Sequence, residues 1–174
     1  MDGNKKCSIC GKAAVFHSPY LKQDLCKKHF EKMLLRRFRG NVASLKNRRD
    51  SVRIGRGNPL GREFLEFFFR DAGKGKYAEA KPHTLEDFAI NVMRYFIFHE
   101  GSSKKIRGDG FFSPLFNISE NEISSFFMLK KIKPRTKKRN GKDMYILGFL
   151  QEIEERRPGG MISLVKAGIT LEII

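Results

Sequence analysis

All the cysteines of this chain lie near its start, as Cys7-Ser8-Ile9-Cys10 and Cys26, and His29 completes two ligand pairs of the form C-x2-C and C-x2-H. Two thiols two residues apart fit a tight turn that presents both sulfurs to one ion, and Gly11 permits the positive φ such a turn needs. Cys26 and His29, three residues apart, share one face of the first turn of a helix read over Cys26–Phe38. Lys12–Leu25, with apolar Val15 and Phe16 and a turn at Pro19, is long enough for a short hairpin between the pairs. The spacing predicts one metal held by Cys7, Cys10, Cys26 and His29. It reads as structural zinc, because four protein ligands leave no open position for a catalytic water.

Beyond this module the chain needs a core of its own. In 174 residues, 40% are hydrophobic and 16 are phenylalanine, which supports one medium domain beside the metal module. No run of about 18 apolar residues occurs and the N-terminus is polar, so neither a membrane span nor a signal peptide is expected. With every cysteine assigned to the metal none is left for a disulfide, and the expected location is the cytoplasm. The formal net charge of +16 is segregated: residues 1–62 carry +12 and 102–142 carry +8, while 63–101 and 143–174 are each at −2. Such clustering points to a polyanionic partner, because Lys and Arg that neutralise phosphates release condensed counterions.

Along the chain, Phe30, Met33, Leu34 and Phe38 recur at helical spacing among Lys27, Lys28, Lys32, Arg36, Arg37 and Arg39, an amphipathic basic helix that Gly40 is expected to end. Ser51–Gly55 reads as a short strand, followed by the glycine-rich turn Gly55–Gly61 and an apolar helix through Phe64, Leu65, Phe67 and Phe68. Strand, glycine-rich loop and helix is an arrangement that cradles phosphates, although this loop lacks the Lys and hydroxyl of a Walker motif. Asp71–Pro82 reads as a connection. Thr84 and Asp87 form a capping box for a helix ended by Gly101, and Ser119 and Glu122 form another, with Ile118 and Ile123 as a hydrophobic staple. Lys130–Lys142 reads as a mobile basic loop, Met144–Arg157 as the last clear helix, and Ile162–Ile174 as apolar and ambiguous.

Several of these segments, taken in order, resemble one family. The N-terminal Cys/His finger with its basic helix, His83-Thr84-Leu85-Glu86-Asp87 with the helix continuing through Ala89–Tyr95, Ser113–Ile123, and Phe149-Leu150 through Glu154–Gly159 are similar to motifs of the N-type ATP pyrophosphatases that thiolate tRNA, of the TtcA/TtuA and cytosolic thiouridylase type. The resemblance implies a shortened, helix-rich, doubly wound α/β domain of the PP-loop ATPase kind over 41–174, preceded by a zinc ribbon over 1–40. It makes Gly55, Arg56, Gly57, His83 and Asp87 candidate nucleotide contacts.

The departures from that family shape the functional expectation. Where the family has Ser-Gly-Gly-Lys-Asp-Ser, this chain has Gly55-Arg56-Gly57-Asn58-Pro59-Leu60-Gly61, and no cysteine follows Cys26. Losing both the phosphate cradle and the later thiols argues against ATP, against an iron–sulfur cluster and, on balance, against catalysis. The expected protein is a non-catalytic relative that binds RNA, with tRNA as the partner. Lys27, Lys28, Arg36, Arg37, Arg48, Arg49, Arg135, Lys137, Lys138 and Arg139 are the expected phosphate contacts. An adaptor for a full-length tRNA thiolase and a minimal active tRNA sulfurtransferase are the alternatives, and a homo-oligomer is a further candidate assembly.

Overall fold

The structure is a computed structural model that describes residues 5–43, 52–69, 78–100, 105–108 and 110–174. A small antiparallel hairpin, β1 (Phe16–Ser18) and β2 (Gln23–Leu25), leads into helix α1 (Lys27–Val42). The second sheet begins with β3 (Val52–Ile54), which feeds helix α2 (Pro59–Phe68). It continues with β4 (Ala78–Ala80), which feeds α3 (Leu85–Phe98), then β5 (Arg107–Gly108) and β6 (Phe111–Phe112), which feeds α4 (Glu120–Leu129). The strand order is β3-β4-β6-β5. The first three strands are parallel and β5 is antiparallel to β6. Helices α5 (Gly141–Arg156) and α6 (Gly160–Thr170) complete this helix-rich α/β fold.

Two apolar cores hold it together. In the first, Phe30, Leu34, Phe38 and Val42 of α1 meet Val52 of β3, Phe64 and Leu65 of α2, and Ile123, Phe126 and Phe127 of α4. Phe64 is fully buried at its centre, edge-on to Phe38 and to Phe126 with ring centroids 5.4 Å apart in both pairs. Such contacts add to the area term about 0.5–1.5 kcal/mol each. In the second core, Phe88, Ala89 and Val92 of α3 pack with Ile146 and Leu150 of α5 and Met161 and Val165 of α6. Gly168 brings α6 close to α3, since a Cβ there would meet Val92.

Both expected capping boxes form, at Thr84/Asp87 and Ser119/Glu122, and Ile118 and Ile123 are fully buried beside the second. Other expectations need correction. Helix α1 runs through Gly40 to Val42, because burying Val42 in the first core outweighs the roughly 1 kcal/mol helix penalty of one glycine. The stretch read as a plain connection before Pro82 contains β4, a central parallel strand. The ambiguous C-terminus is α6. Lys130–Lys142 has no regular structure over 132–140, yet it lies across the ends of the parallel strands with two of its cations fixed. Arg48, Arg49, Gly101 and all of 71–77 fall outside the described residues.

Candidate functional site

Two places gather chemistry. The first is the Cys/His knuckle. The 7–10 turn is closed by the Gly11 amide donating to the Cys7 carbonyl at 2.9 Å, with Gly11 at φ 69°, the left-handed conformation that glycine adopts without strain. Cys26 is the N-cap of α1, which places His29 one turn into the helix and back toward Cys26. His29 Nδ1 then lies 3.3 Å from Cys7 Sγ and 3.5 Å from Cys26 Sγ, and Cys10 Sγ is 3.7 Å from Cys26 Sγ. All four ligand atoms fall within 4.8 Å of one another, so this group can hold a metal. Burial raises the Cys7 thiol, but backbone hydrogen bonds from Cys26 and Ile9 and the side chain of His29 outweigh it, leaving Cys7 lowered to about 5. Cys10 moves the other way: the Lys12 amide lowers it, while burial and the neighbouring thiols of Cys26 and Cys7 raise it further.

The second place is the crevice beyond the carboxyl ends of β3, β4 and β6, the position at which open α/β sheets bind ligands. Each of these strands runs into a helix N-terminus, and the three termini meet through one side chain. Asn58 caps α2 through its carbonyl oxygen, and its amide donates to Thr84 Oγ1 (3.3 Å), Asp87 Oδ2 (2.9 Å) and Glu120 Oε1 (2.6 Å). Pro59 suits the first position of α2, and Gly61 allows that helix to lie directly on the Pro82 carbonyl. Gly57 lies against Pro82 and His83, so the loop and the His83–Asp87 segment do come together as the resemblance implies.

The occupants of this crevice are the chain's own charges. Glu86 accepts the Glu120 amide at 2.9 and 3.0 Å, and buried Asp87 and partly exposed Glu120 complete an acidic trio at the positive ends of α3 and α4. Arg139 reaches in with a side chain only 4% exposed, forking onto both oxygens of Glu120 and approaching Asp87 at 3.4 Å, while Lys137 Nζ lies 2.5 Å from Asp87. Burial and the neighbouring Glu120 and Asp87 carboxylates raise Glu86 to about 8. Burial also raises Asp87, but the charge and hydrogen bond of Lys137, with bonds from Asn58 and Thr84, bring it below the ordinary aspartate value. Asn58, Glu86 and Glu120 were not singled out from sequence as site residues. Asn58 before Pro59 carries a capping signal, but nothing local announces that Glu86 is buried or that Glu120 meets it.

The remaining expected phosphate contacts divide into free and engaged. Lys27, Lys28 and Arg36 are exposed on α1, and Lys28, Lys32 and Arg36 recur every fourth residue along one face with no acidic partner among the described residues. Arg135 and Lys138 are exposed on the segment crossing the crevice. Arg37 is engaged, bonding Glu122 and the Asn117 carbonyl, and Lys137 and Arg139 are held by Asp87 and Glu120.

No family model matches this sequence, and no curated protein matches it. Fold and site together define a helix-rich α/β domain with a parallel sheet and an N-terminal Cys/His group able to hold a metal, a tRNA-thiolase-like fold. Among solved structures it resembles the U34-tRNA thiolase NcsA from Methanococcus maripaludis with its 4Fe-4S cluster, at a TM-score of 0.79 and 14% identity, over 97% of this chain and 88% of that one. The likeness establishes the fold. It also corrects the expectation against an iron–sulfur cluster: the similar protein carries one, and this chain gathers three cysteines and a histidine in one place. The absence of cysteine after Cys26 removes later thiols but not the soft donors that such centres use. Among the described residues no helix is long and apolar enough to cross a membrane.

Proposed function

We propose that this chain is a shortened, non-catalytic relative of tRNA thiolases that binds RNA, with tRNA as the partner, through the exposed basic face of α1. The observation that carries this reading is the row Lys28, Lys32 and Arg36, exposed on one face of α1 with no ion-paired carboxylate among the described residues. Unneutralised cations repeating at one helical pitch match a phosphate backbone. Support for a non-catalytic role comes from the crevice, where Arg139 and Lys137 neutralise the acids, and from a loop without lysine or hydroxyl. In the ribbon we place a single zinc ion on Cys7, Cys10, Cys26 and His29. Zn–S bonds of about 2.3 Å put tetrahedral sulfur edges at about 3.8 Å, and the Cys10–Cys26 separation is 3.7 Å.

Binding of a labelled tRNA, measured together with AMP formation from ATP in the same mixture, tests the reading. Tight binding without AMP is expected. AMP release that requires added tRNA and is lost in Asp87→Asn would replace it with the minimal thiolase. Elemental analysis near one zinc per chain fits the ribbon assignment, whereas iron with acid-labile sulfide would assign the cysteines to a cluster. A second reading, an adaptor for a full-length thiolase, is favoured by the end of α3, where Tyr95, Phe96, Ile97 and Phe98 are all exposed.

A further inference from the structure

Beside the metal knuckle, the hairpin and α1 enclose a pocket of about 410 Å³, within the size range of small-molecule sites. It is lined by Tyr20, Leu21, Gln23, Leu25 and Met33, with exposed Lys32 and Arg36 beside them. Ile9, Tyr20 and Leu21 are 59%, 47% and 40% exposed there, a run of bare apolar surface on a small ribbon. The half-buried Gln23 amide has no hydrogen-bond partner among the described residues and offers both a donor and an acceptor. Among the described residues no carboxylate lines this pocket. The larger cleft on the other side of Arg37, about 510 Å³, is instead lined by Glu86, Glu122, Glu154 and Glu155 and would repel a phosphate.

Resting on the RNA-binding reading above, we propose that this pocket takes one unpaired nucleotide of the bound RNA. The base stacks on the Tyr20 ring against Leu21 and Met33, Gln23 meets its hydrogen-bonding edge, and the flanking phosphates lie on Lys32 and Arg36. An aromatic face with an apolar floor and adjacent cations is how single strands are held, because every base has a π-face and only an unstacked one can enter. A duplex keeps its bases stacked and reaches only the cations. The site therefore selects single-stranded segments or loops over continuous helix.

Fluorescence anisotropy with a labelled 12-nucleotide RNA, single-stranded or annealed to its complement, tests this with the intact chain at fixed salt. The expected result is preference for the single strand, weakened about 5- to 150-fold by Tyr20→Ala, with Tyr20→Phe within about twofold of the parent and duplex binding unchanged by either. If Tyr20→Ala loses metal or melts early, Leu21→Glu, at an exposed position, carries the same expectation for the single strand. Single-strand binding that survives Tyr20→Ala and Leu21→Glu but is lost in Lys32→Ala/Arg36→Ala would overturn the pocket and leave the RNA reading standing, as would equal binding of both RNAs. No binding of either RNA by the parent would overturn both.

Discussion

Asn58 is a single side chain with three tasks: it caps α2, joins the capping residue of α3 and touches the first residue of α4. Around it, Arg139 holds the carboxylates of Glu120 and Asp87 at the N-termini of α4 and α3, with Lys137 as a second cation on Asp87. Removing one partner of a buried ion pair costs about 3–5 kcal/mol, so Arg139→Ala should lower stability by that order in urea unfolding. Adding Glu120→Gln to Arg139→Met should recover part of the loss. A change below about 0.5 kcal/mol for Arg139→Ala would show the guanidinium to be solvated. Glu86, raised from 4.5 to about 8 by burial, Glu120 and Asp87, holds its proton in the fold but loses it in the unfolded chain above about pH 4.5. Its contribution is present below that pH and disappears as pH rises through about 8. Glu86→Gln, which never ionises, should therefore become more stable than the parent as pH climbs from 5 to 9, with an upper limit on the order of 5 kcal/mol. Denaturant titrations across that window check it, and a pH-independent difference would contradict it.

Elements whose signals are local could be read from sequence. Thr84-x2-Asp87 and Ser119-x2-Glu122 each fix a helix start through their own backbone, and the C-x2-C and C-x2-H pairs fold into one cluster because each sits in a single turn. Elements that depend on distant partners could not. Strand β4 is Ala78-Glu79-Ala80, without a β-branched or aromatic residue, and exists because β3 and β6 flank it. The 132–140 segment has the composition of a solvated basic loop, and only its pairing with Asp87 and Glu120, set by the fold, draws Lys137 and Arg139 inward. The ribbon and α1 differ in how much holds them. Phe30, Leu34, Phe38 and Val42 anchor α1 in the first core, whereas the hairpin, two three-residue strands, joins it only through Phe16 and Leu25. Cys26→Ser or chelation should thus release the metal and speed amide hydrogen exchange across residues 5–25, leaving protection in the second half of α1 and in α2 and α4. Uniform loss of protection would mean that the metal holds the first core as well.

Charge is distributed over the molecule by function rather than evenly. The central and C-terminal stretches, each at −2, supply α3, α5 and α6, and the first block, at +12, supplies the ribbon and α1. The second block, at +8, is partly spent inside the crevice on Asp87 and Glu120. On α1, Lys28, Lys32 and Arg36 remain exposed, with Lys32 and Arg36 beside the Tyr20 pocket. If Lys28, Lys32 and Arg36 each neutralise one phosphate, replacing all three with Ala should reduce the dependence of log affinity on log salt by about two units for a single strand. Arg37, already committed to Glu122 and Asn117, makes no such contact in this account. The decisive measurement is tRNA affinity between about 50 and 200 mM salt for the parent and the Lys28/Lys32/Arg36 triple variant. A steep parent slope made shallower by about two units is the predicted result, and identical slopes for the two proteins, or binding indifferent to salt, would contradict RNA binding by α1.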